Sequence, residues 1–203
     1  MGEIARQEIY QAEKKRRARR LNVEWCSGSG KEAKFNQALG FWENIPKPSM
    51  KSEAVLMTNC IVIRESSVLL GMKKRGFGMG RWNGFGGKLR EGESIQEAVS
   101  RELQEESGLQ AVSLEEMGIL LFEQQDIGAL HEMHIFLCKD FQGSPIETEE
   151  MRPQWFSIDE IPYEDMWLDD RYWLPLFLQG EKFFGKFVFK DTDTLIDYSL
   201  SVL

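Results

Sequence analysis

From residue 54 onward, apolar and polar positions fall into regular blocks. Ala54 to Ile63 and Val68 to Met72 are largely apolar and β-branched, and the polar Arg64-Glu65-Ser66-Ser67 between them predicts two strands with a tight connection. Gly71 to Lys88 is too glycine-rich for a helix and long enough to wrap a ligand. Helical periodicity is clearest over Ser94 to Ser107. There Ser94 and Glu97 form a capping box, Gly108 supplies a stop, and Ile95, Ala98, Val99 and Leu103 line one apolar face. Further strands are predicted at roughly 117–124, 132–138, 183–190 and 194–200, with a helix around 170–179 broken or bent near Pro175. Helices alternating with strands of mixed spacing predict an α/β fold, a sandwich of helices around a mixed β-sheet.

Residues 1–50 read differently from the domain expected over 51–203. Lys14 to Arg20 is a basic run on a possible short helix over residues 5–20, Ser27-Gly28-Ser29-Gly30 is a flexible stretch, and Pro46 and Pro48 mark the end of a linker. The run reads as a solvated, partly disordered tail, with nuclear import or contact with RNA or acidic lipid as the alternative. Met50 also permits an alternative start.

Charge sharpens this division. The net charge is −8, but residues 1–50 hold ten Lys/Arg against six Asp/Glu, so the remainder carries −12. An acidic body argues against a stable nucleic-acid partner, although it accepts a polyphosphate if a cation neutralises the phosphates. No apolar run approaches the ~18 residues of a membrane span, so no membrane association is expected. Cys26, Cys60 and Cys138 form no Cys-x-x-Cys pair and no signal peptide is evident, which fits a reducing compartment.

Glu102, Glu105 and Glu106 stand at i, i+3 and i+4 of the predicted helix and are expected to share a face. Glu102 and Glu106 also project to the side of Ile95, Ala98 and Val99. Carboxylates turned toward a core need a partner, and a hard cation such as Mg²⁺ both satisfies them and bridges to phosphate oxygens. The bland reading is a solvated acidic helix face.

The surrounding spacing decides between these readings. Gly87, five residues, Glu93, seven residues, Arg101-Glu102-Leu103, one residue, Glu105-Glu106, one residue and Gly108-Leu109 resembles the Nudix box at all nine specified positions. Its strand, loop, helix and glycine stop are the context such a motif requires. From about Met57 to Leu200 the chain is further similar to the branch of Nudix hydrolases acting on oxidised purine nucleoside triphosphates, through Gly71 to Gly78, Gly80 to Lys88, Arg101 to Leu109, Asp165-Met166-Trp167 and Asp169-Asp170. The resemblance implies a Nudix α/β/α sandwich and Mg²⁺-dependent hydrolysis, Mn²⁺ being an alternative cation, to monophosphate and pyrophosphate. It makes Glu102, Glu105 and Glu106 metal ligands or bases. Arg101 would orient a carboxylate, that of Glu93, while Gly86 or Gly87 lets a backbone carbonyl approach the metal and Glu150 supplies a further carboxylate.

The same resemblance implies a base pocket. Phe77, Phe122, Met151 and Trp167 would form its walls, with Trp167 stacked on the purine, and Thr58, Lys73, Phe85, Gly86, Gly87 and Lys88 match further substrate-contacting positions. Phe122 serves equally well as core, and Lys73 as a solvated lysine. Asn83 both donates and accepts, which suits a purine edge; its alternative is a turn residue before Gly84. Two close carboxylates in a partly dry pocket do not both ionise readily, so Asp169 and Asp170 are expected to exchange a proton and accommodate both oxidised guanine and oxidised adenine. Otherwise Asp169 caps the following helix. Gln124 stands where the family usually has an aromatic residue, and His131 replaces an apolar one in a loop.

Two other readings stay open: a Nudix hydrolase of another nucleoside diphosphate derivative, and a module that binds nucleotide or RNA without turnover. The protein is expected to be a monomer in the cytoplasm, with nuclear or mitochondrial nucleotide pools as alternatives.

Overall fold

Successive residues of the central strands are buried on opposite sides, and this sets the architecture. In the computed structural model, which describes residues 54–203 and the backbones of two short strands before them, Cys60 and Val62 join one apolar cluster while Ile61 joins another. A strand covered on both faces needs no polar alternation, which is why Cys60 to Ile63 reads as an unbroken apolar run. The chain divides into two units, Met1–Pro48 and Ser49–Leu203. In the first, β1 (Lys34–Asn36) and β2 (Phe41–Glu43) form an antiparallel pair. The expected helix over 5–20, the basic run, the linker prolines, Cys26 and Met50 lie outside the described residues.

The second unit is built on a mixed sheet. Its strands are β3 (Val55–Arg64), β4 (Ser67–Lys73), β5 (Trp82–Asn83), β7 (Glu115–Gln124), β8 (Ala129–Cys138), β10 (Met151–Ser157), β11 (Phe183–Asp191) and β12 (Thr194–Val202). They run in the order β10-β4-β3-β8-β7-β11-β12, with β5 paired to β4. Pairs β3/β8 and β7/β11 are parallel, and the other neighbours are antiparallel. A separate short pair joins β6 (Gln110–Ala111) to β9 (Phe141–Gln142). Helix α1 (Ile95–Ser107) packs Val99 and Leu103 with Cys60, Val62, Leu69 and Phe85; helix α2 (Asp170–Leu178) packs Trp173, Leu174 and Phe177 with Ile61, Leu70 and Phe187. The expected α/β/α sandwich around a mixed sheet is present.

Local differences have local causes. The β3–β4 connection narrows to Glu65-Ser66, with Glu65 in the left-handed region at φ 53°. Strand β10 was not anticipated because Pro153 interrupts its pattern, yet it lies at the sheet edge, where a missing N–H is tolerated. Pro175 stays inside α2 without ending it. His131, expected in a loop, lies within β8 opposite Phe122.

One buried polar cluster lies in the sheet. His134 Nδ1 meets Glu116 at 2.5 Å and its Nε2 meets Glu132 at 3.1 Å, with His134 only 6% exposed. Burial alone would depress the imidazole pKa, but the two carboxylates outweigh it and raise it to about 9 from 6.5. Because the folded value exceeds the unfolded one, this stabilisation is fully present below pH 6.5 and is lost as pH rises through 9. Its size is on the order of 2–3 kcal/mol. Thermal melts should therefore show the wild type losing stability over that window, and His134→Gln should be less stable at the acid end with a flatter profile. Parallel profiles for the two proteins would exclude this linkage.

Candidate active site

Helix α1 holds the carboxylates at fixed spacing, and its ends are closed as the sequence predicts. The Ser94 hydroxyl accepts from the Glu97 N–H at 3.3 Å, the Glu97 carboxylate accepts from the Ser94 N–H at 2.8 Å, and Gly108 ends the helix at φ 77°. At about 100° per residue, Glu106 falls beside buried Val99 while Glu105 is carried about 100° further round. The three carboxylates consequently do not share one environment: the side chains of Glu106 and Glu102 are 3% and 16% exposed, that of Glu105 48%.

Each carboxylate has a basic or backbone partner. Arg101 grips Glu93 through two bonds, Nε to Oε1 at 2.6 Å and Nη2 to Oε2 at 2.8 Å, and reaches Glu102 Oε1 at 2.6 Å and Glu105 at 3.2 Å. Its hydrogen bonds hold the Glu93 carboxyl down at about 2, and Glu93 in turn raises Arg101. Arg90 adds a second contact to Glu105.

Glu106 accepts from the Gly86 N–H at 2.9 Å and from Lys73 Nζ at 3.0 Å. Burial pushes its carboxyl up to about 6 against the opposing pull of Lys73. Lys73 also bonds Glu150 at 3.3 Å, so this lysine spans the helix and the loop before β10 rather than lying in solvent. Arg75 binds the other oxygen of Glu150 at 2.8 Å, and chiefly this bond lowers the Glu150 pKa. Among the described residues, no three His, Cys, Asp or Glu side chains converge as a ready ligand set.

The glycine loop meets the helix without spare room. A Cβ on Gly86 would lie 2.0 Å from the Thr58 carbonyl oxygen, and one on Gly87 would lie 2.7 Å from Glu102 Oε1. Thr58 N–H donates to the Gly87 carbonyl at 2.9 Å, which leaves Gly86 as the carbonyl suited to a metal. Oxygen donors of this kind, at a buried carboxylate, fit a hard divalent cation. Phe85 is fully buried under α1, and its backbone N–H and carbonyl pair with Cys60. Lys88 bridges to Met57, and its carbonyl accepts from Arg101 at 3.4 Å.

The aromatic residues gather elsewhere on the same loop. Phe77 is 69% exposed and stacks on Trp167 with centroids 5.0 Å apart, while the Arg81 guanidinium stands 4.1 Å from the Trp167 ring centroid. Arg81 also pairs with Asp193 in the β11–β12 turn. Sequence reasoning missed Arg81 because nothing in Gly-Arg-Trp distinguishes it from a surface arginine. Phe122 stacks on Phe187 at 5.7 Å and packs on the α2 cluster, and Met151 is buried against Gly71.

Asp169 and Asp170 are 5% and 2% exposed. Trp173 Nε1 donates to Asp169 at 3.0 Å and the Trp167 backbone N–H to Asp170 at 3.0 Å. Asp169 stands at the N-cap of α2 without a side-chain cap bond, so capping is not its role. Burial raises Asp169 to about 6, and burial together with Asp169 raises Asp170 well above the usual carboxylate range. The spacing of Trp173, four residues after Asp169 on one helix face, is the signal that would have revealed this partner.

A capped helix of carboxylates, paired with arginine and lysine and closed by a glycine loop on a mixed sheet, defines an enzyme class built for phosphate substrates. Residues 55–177 match the NUDIX domain. The chain is 53% identical over 149 residues to an oxidized purine nucleoside triphosphate hydrolase of Mus musculus, covering 73% of this chain and 96% of the mouse protein. It is 49% identical over 145 residues to the protein of the same name in Danio rerio, covering 71% and 93% of the two chains. A solved MutT protein from Bacillus halodurans superposes with a TM-score of 0.66 at 30% identity, covering 72% of this chain and 97% of that one. The chain belongs to the Nudix hydrolase family, whose members generally use divalent metal ions.

Proposed function

We propose that this protein hydrolyses oxidised purine nucleoside triphosphates, such as 8-oxo-dGTP and 2-hydroxy-dATP, to the monophosphate and pyrophosphate with Mg²⁺ in the cytoplasmic nucleotide pool. The observation that carries the reading is the combination of a buried Glu106 beside Gly86 and Lys73 with a stacked Trp167 next to two buried aspartates. The first suits phosphate chemistry, the second a purine. High identity over nearly the full length of the mouse and zebrafish proteins supports the same substrate class.

Glu102, Glu105, Glu106, Glu150 and the Gly86 carbonyl are the oxygen donors that would hold the cation. When bound, it offsets phosphate charge and makes water more acidic. Arg101 fixes Glu102 and Glu93 in place, and Glu106 accepts the proton of the attacking water. That water adds to the α phosphorus, the bond to the bridging oxygen breaks, and pyrophosphate departs. Trp167 and Phe77 hold the base by stacking.

The aspartates read the base edge. Raised pKa values let one carboxyl donate while the other accepts, and exchange of that proton matches different oxidised purines.

Chromatographic measurement of nucleoside monophosphate formed from a panel of normal and oxidised nucleotides, dinucleotides and nucleoside diphosphate sugars, with pyrophosphate as co-product of the triphosphates alone, tests the proposal. Oxidised purine triphosphates should lead by at least about tenfold in kcat/KM, the discrimination that ~1.4 kcal/mol supplies; a diphosphate derivative in first place would overturn the substrate. In the same panel Asp170→Asn should reorder the oxidised purines. An unchanged order would remove the proton exchange.

A further inference from the structure

Two adjacent asparagines from different strands meet beneath the loop, and their bonds are not symmetrical. The carboxamide oxygen of Asn83, at the end of β5, accepts from the Gly84 N–H at 2.9 Å. A backbone N–H only donates, so this contact fixes which end of the Asn83 amide is oxygen. Asn59 on β3 places its own amide 3.3 Å from the same oxygen, and there it must be the nitrogen that faces Asn83.

Two donors therefore converge on one carboxamide oxygen, which has two lone pairs. Both are filled from inside the protein. What remains of Asn83 for a ligand is its NH₂ group, a donor only. The sequence alone credits Asn83 with both capacities, and the structure withdraws one of them.

Asn59 carries a cost for this arrangement. It is 4% exposed, and among the described residues its carbonyl oxygen has no hydrogen-bond partner. That oxygen lies over Gly84, close enough that a Cβ there would come within 2.0 Å of it. Burying an unpaired amide oxygen is unfavourable, and an apolar side chain at this position would avoid the penalty. Thr58, its neighbour on β3, points to the other face of the sheet and does not supply the missing partner.

We propose that Asn59 is a positioning residue that sets base specificity: it saturates the Asn83 oxygen, so that the pocket presents only a donor and selects purines carrying an acceptor at the facing edge. This rests on the substrate class proposed above and narrows it. Ring position 6 is where purines exchange an acceptor for a donor, an oxo group in guanine and hypoxanthine and an amino group in adenine. A donor-only Asn83 favours the 6-oxo bases. The proton shared by Asp169 and Asp170 then adjusts the pocket to what remains of the edge.

The test compares wild type with Asn59→Ala, which removes the donor without adding bulk over Gly84, and with Asn59→Leu, which removes it while keeping the number and branching of the side-chain heavy atoms. The substrates are 8-oxo-dITP and 8-oxo-dATP, which differ in the oxo or amino group at position 6 and the proton on N1. Freed from Asn59, the Asn83 oxygen accepts from the 6-amino group, and the kcat/KM ratio of 6-oxo to 6-amino substrate should fall about fivefold, the worth of one neutral hydrogen bond. The change should come through KM for the 6-amino substrate, with kcat nearly unmoved. Asn59→Leu should melt no lower than wild type, since it removes an unpaired polar atom. An unchanged ratio in both variants, or equal losses on both substrates, would overturn the proposal.

A second readout does not need turnover. The side-chain amide protons of Asn59, assigned by their absence from the Asn59→Ala spectrum, should exchange slowly with solvent in the wild type. Rapid exchange would show that the bond to Asn83 is not held. If the wild type cleaves no oxidised purine nucleotide but these protons are protected, the substrate reading has failed and the locked amide stands.

Discussion

Glu106→Gln should lower turnover by about two to four orders of magnitude while leaving the melting temperature within a few degrees of wild type. Glutamine keeps the shape and one carbonyl oxygen, so the Gly86 N–H still has an acceptor. It loses the charge that holds Lys73 and the basicity that accepts a proton. Stability should change little because burial already penalises this carboxylate, whose pKa lies near 6, so replacing it by a neutral group recovers desolvation as it forfeits the ion pair. Circular-dichroism melts and steady-state kinetics on the same preparation separate the two effects. Near-normal turnover in a folded variant would remove Glu106 from the chemistry.

Gly86→Ala should be the most damaging single methyl in the loop. The new Cβ would sit 2.0 Å from the Thr58 carbonyl oxygen and 2.8 Å from the Asn59 Cα, both on the backbone of a central strand. No side chain is there to swing aside. The loop must lift from β3, which breaks the Cys60–Phe85 and Thr58–Gly87 backbone bonds and moves the Gly86 N–H off Glu106. A loss of roughly 2–4 kcal/mol is expected, together with loss of nearly all activity. A crystal structure of an active Gly86→Ala enzyme with the loop in place would contradict this packing.

Legibility from the sequence followed the range of the interactions. Helix α1 announced itself because its capping box, apolar face and glycine stop all lie within fifteen residues, while the Arg101–Glu93 pair was implied by the resemblance to the Nudix box. The burial of Glu106 was also readable, from the side on which Ile95, Ala98 and Val99 fall. Glu105, which the periodicity does not turn toward the core, is the exposed one of the three and shares Arg101 with Glu102. Partners set by long-range pairing left no local trace. Arg75 and Lys73 reach Glu150 across more than seventy positions, and Asn59 reaches Asn83 only because β3 and the β5 loop are laid together by the sheet. Strand β10 was hidden by its proline and its polar composition.

The loop between β4 and α1 touches the two halves of the site at different points along its length: Phe77, Gly78 and Arg81 at the indole of Trp167, Gly86 and Gly87 at the carboxylates of α1. One half is carried by α1 and the other by the segment leading into α2, on opposite layers of the sandwich, and this single loop is the strut between them. It acts as a ruler. Its contour fixes the spacing between the Trp167 ring and the Glu106 carboxylate, and buried Trp82 and Phe85 pin that contour to the core.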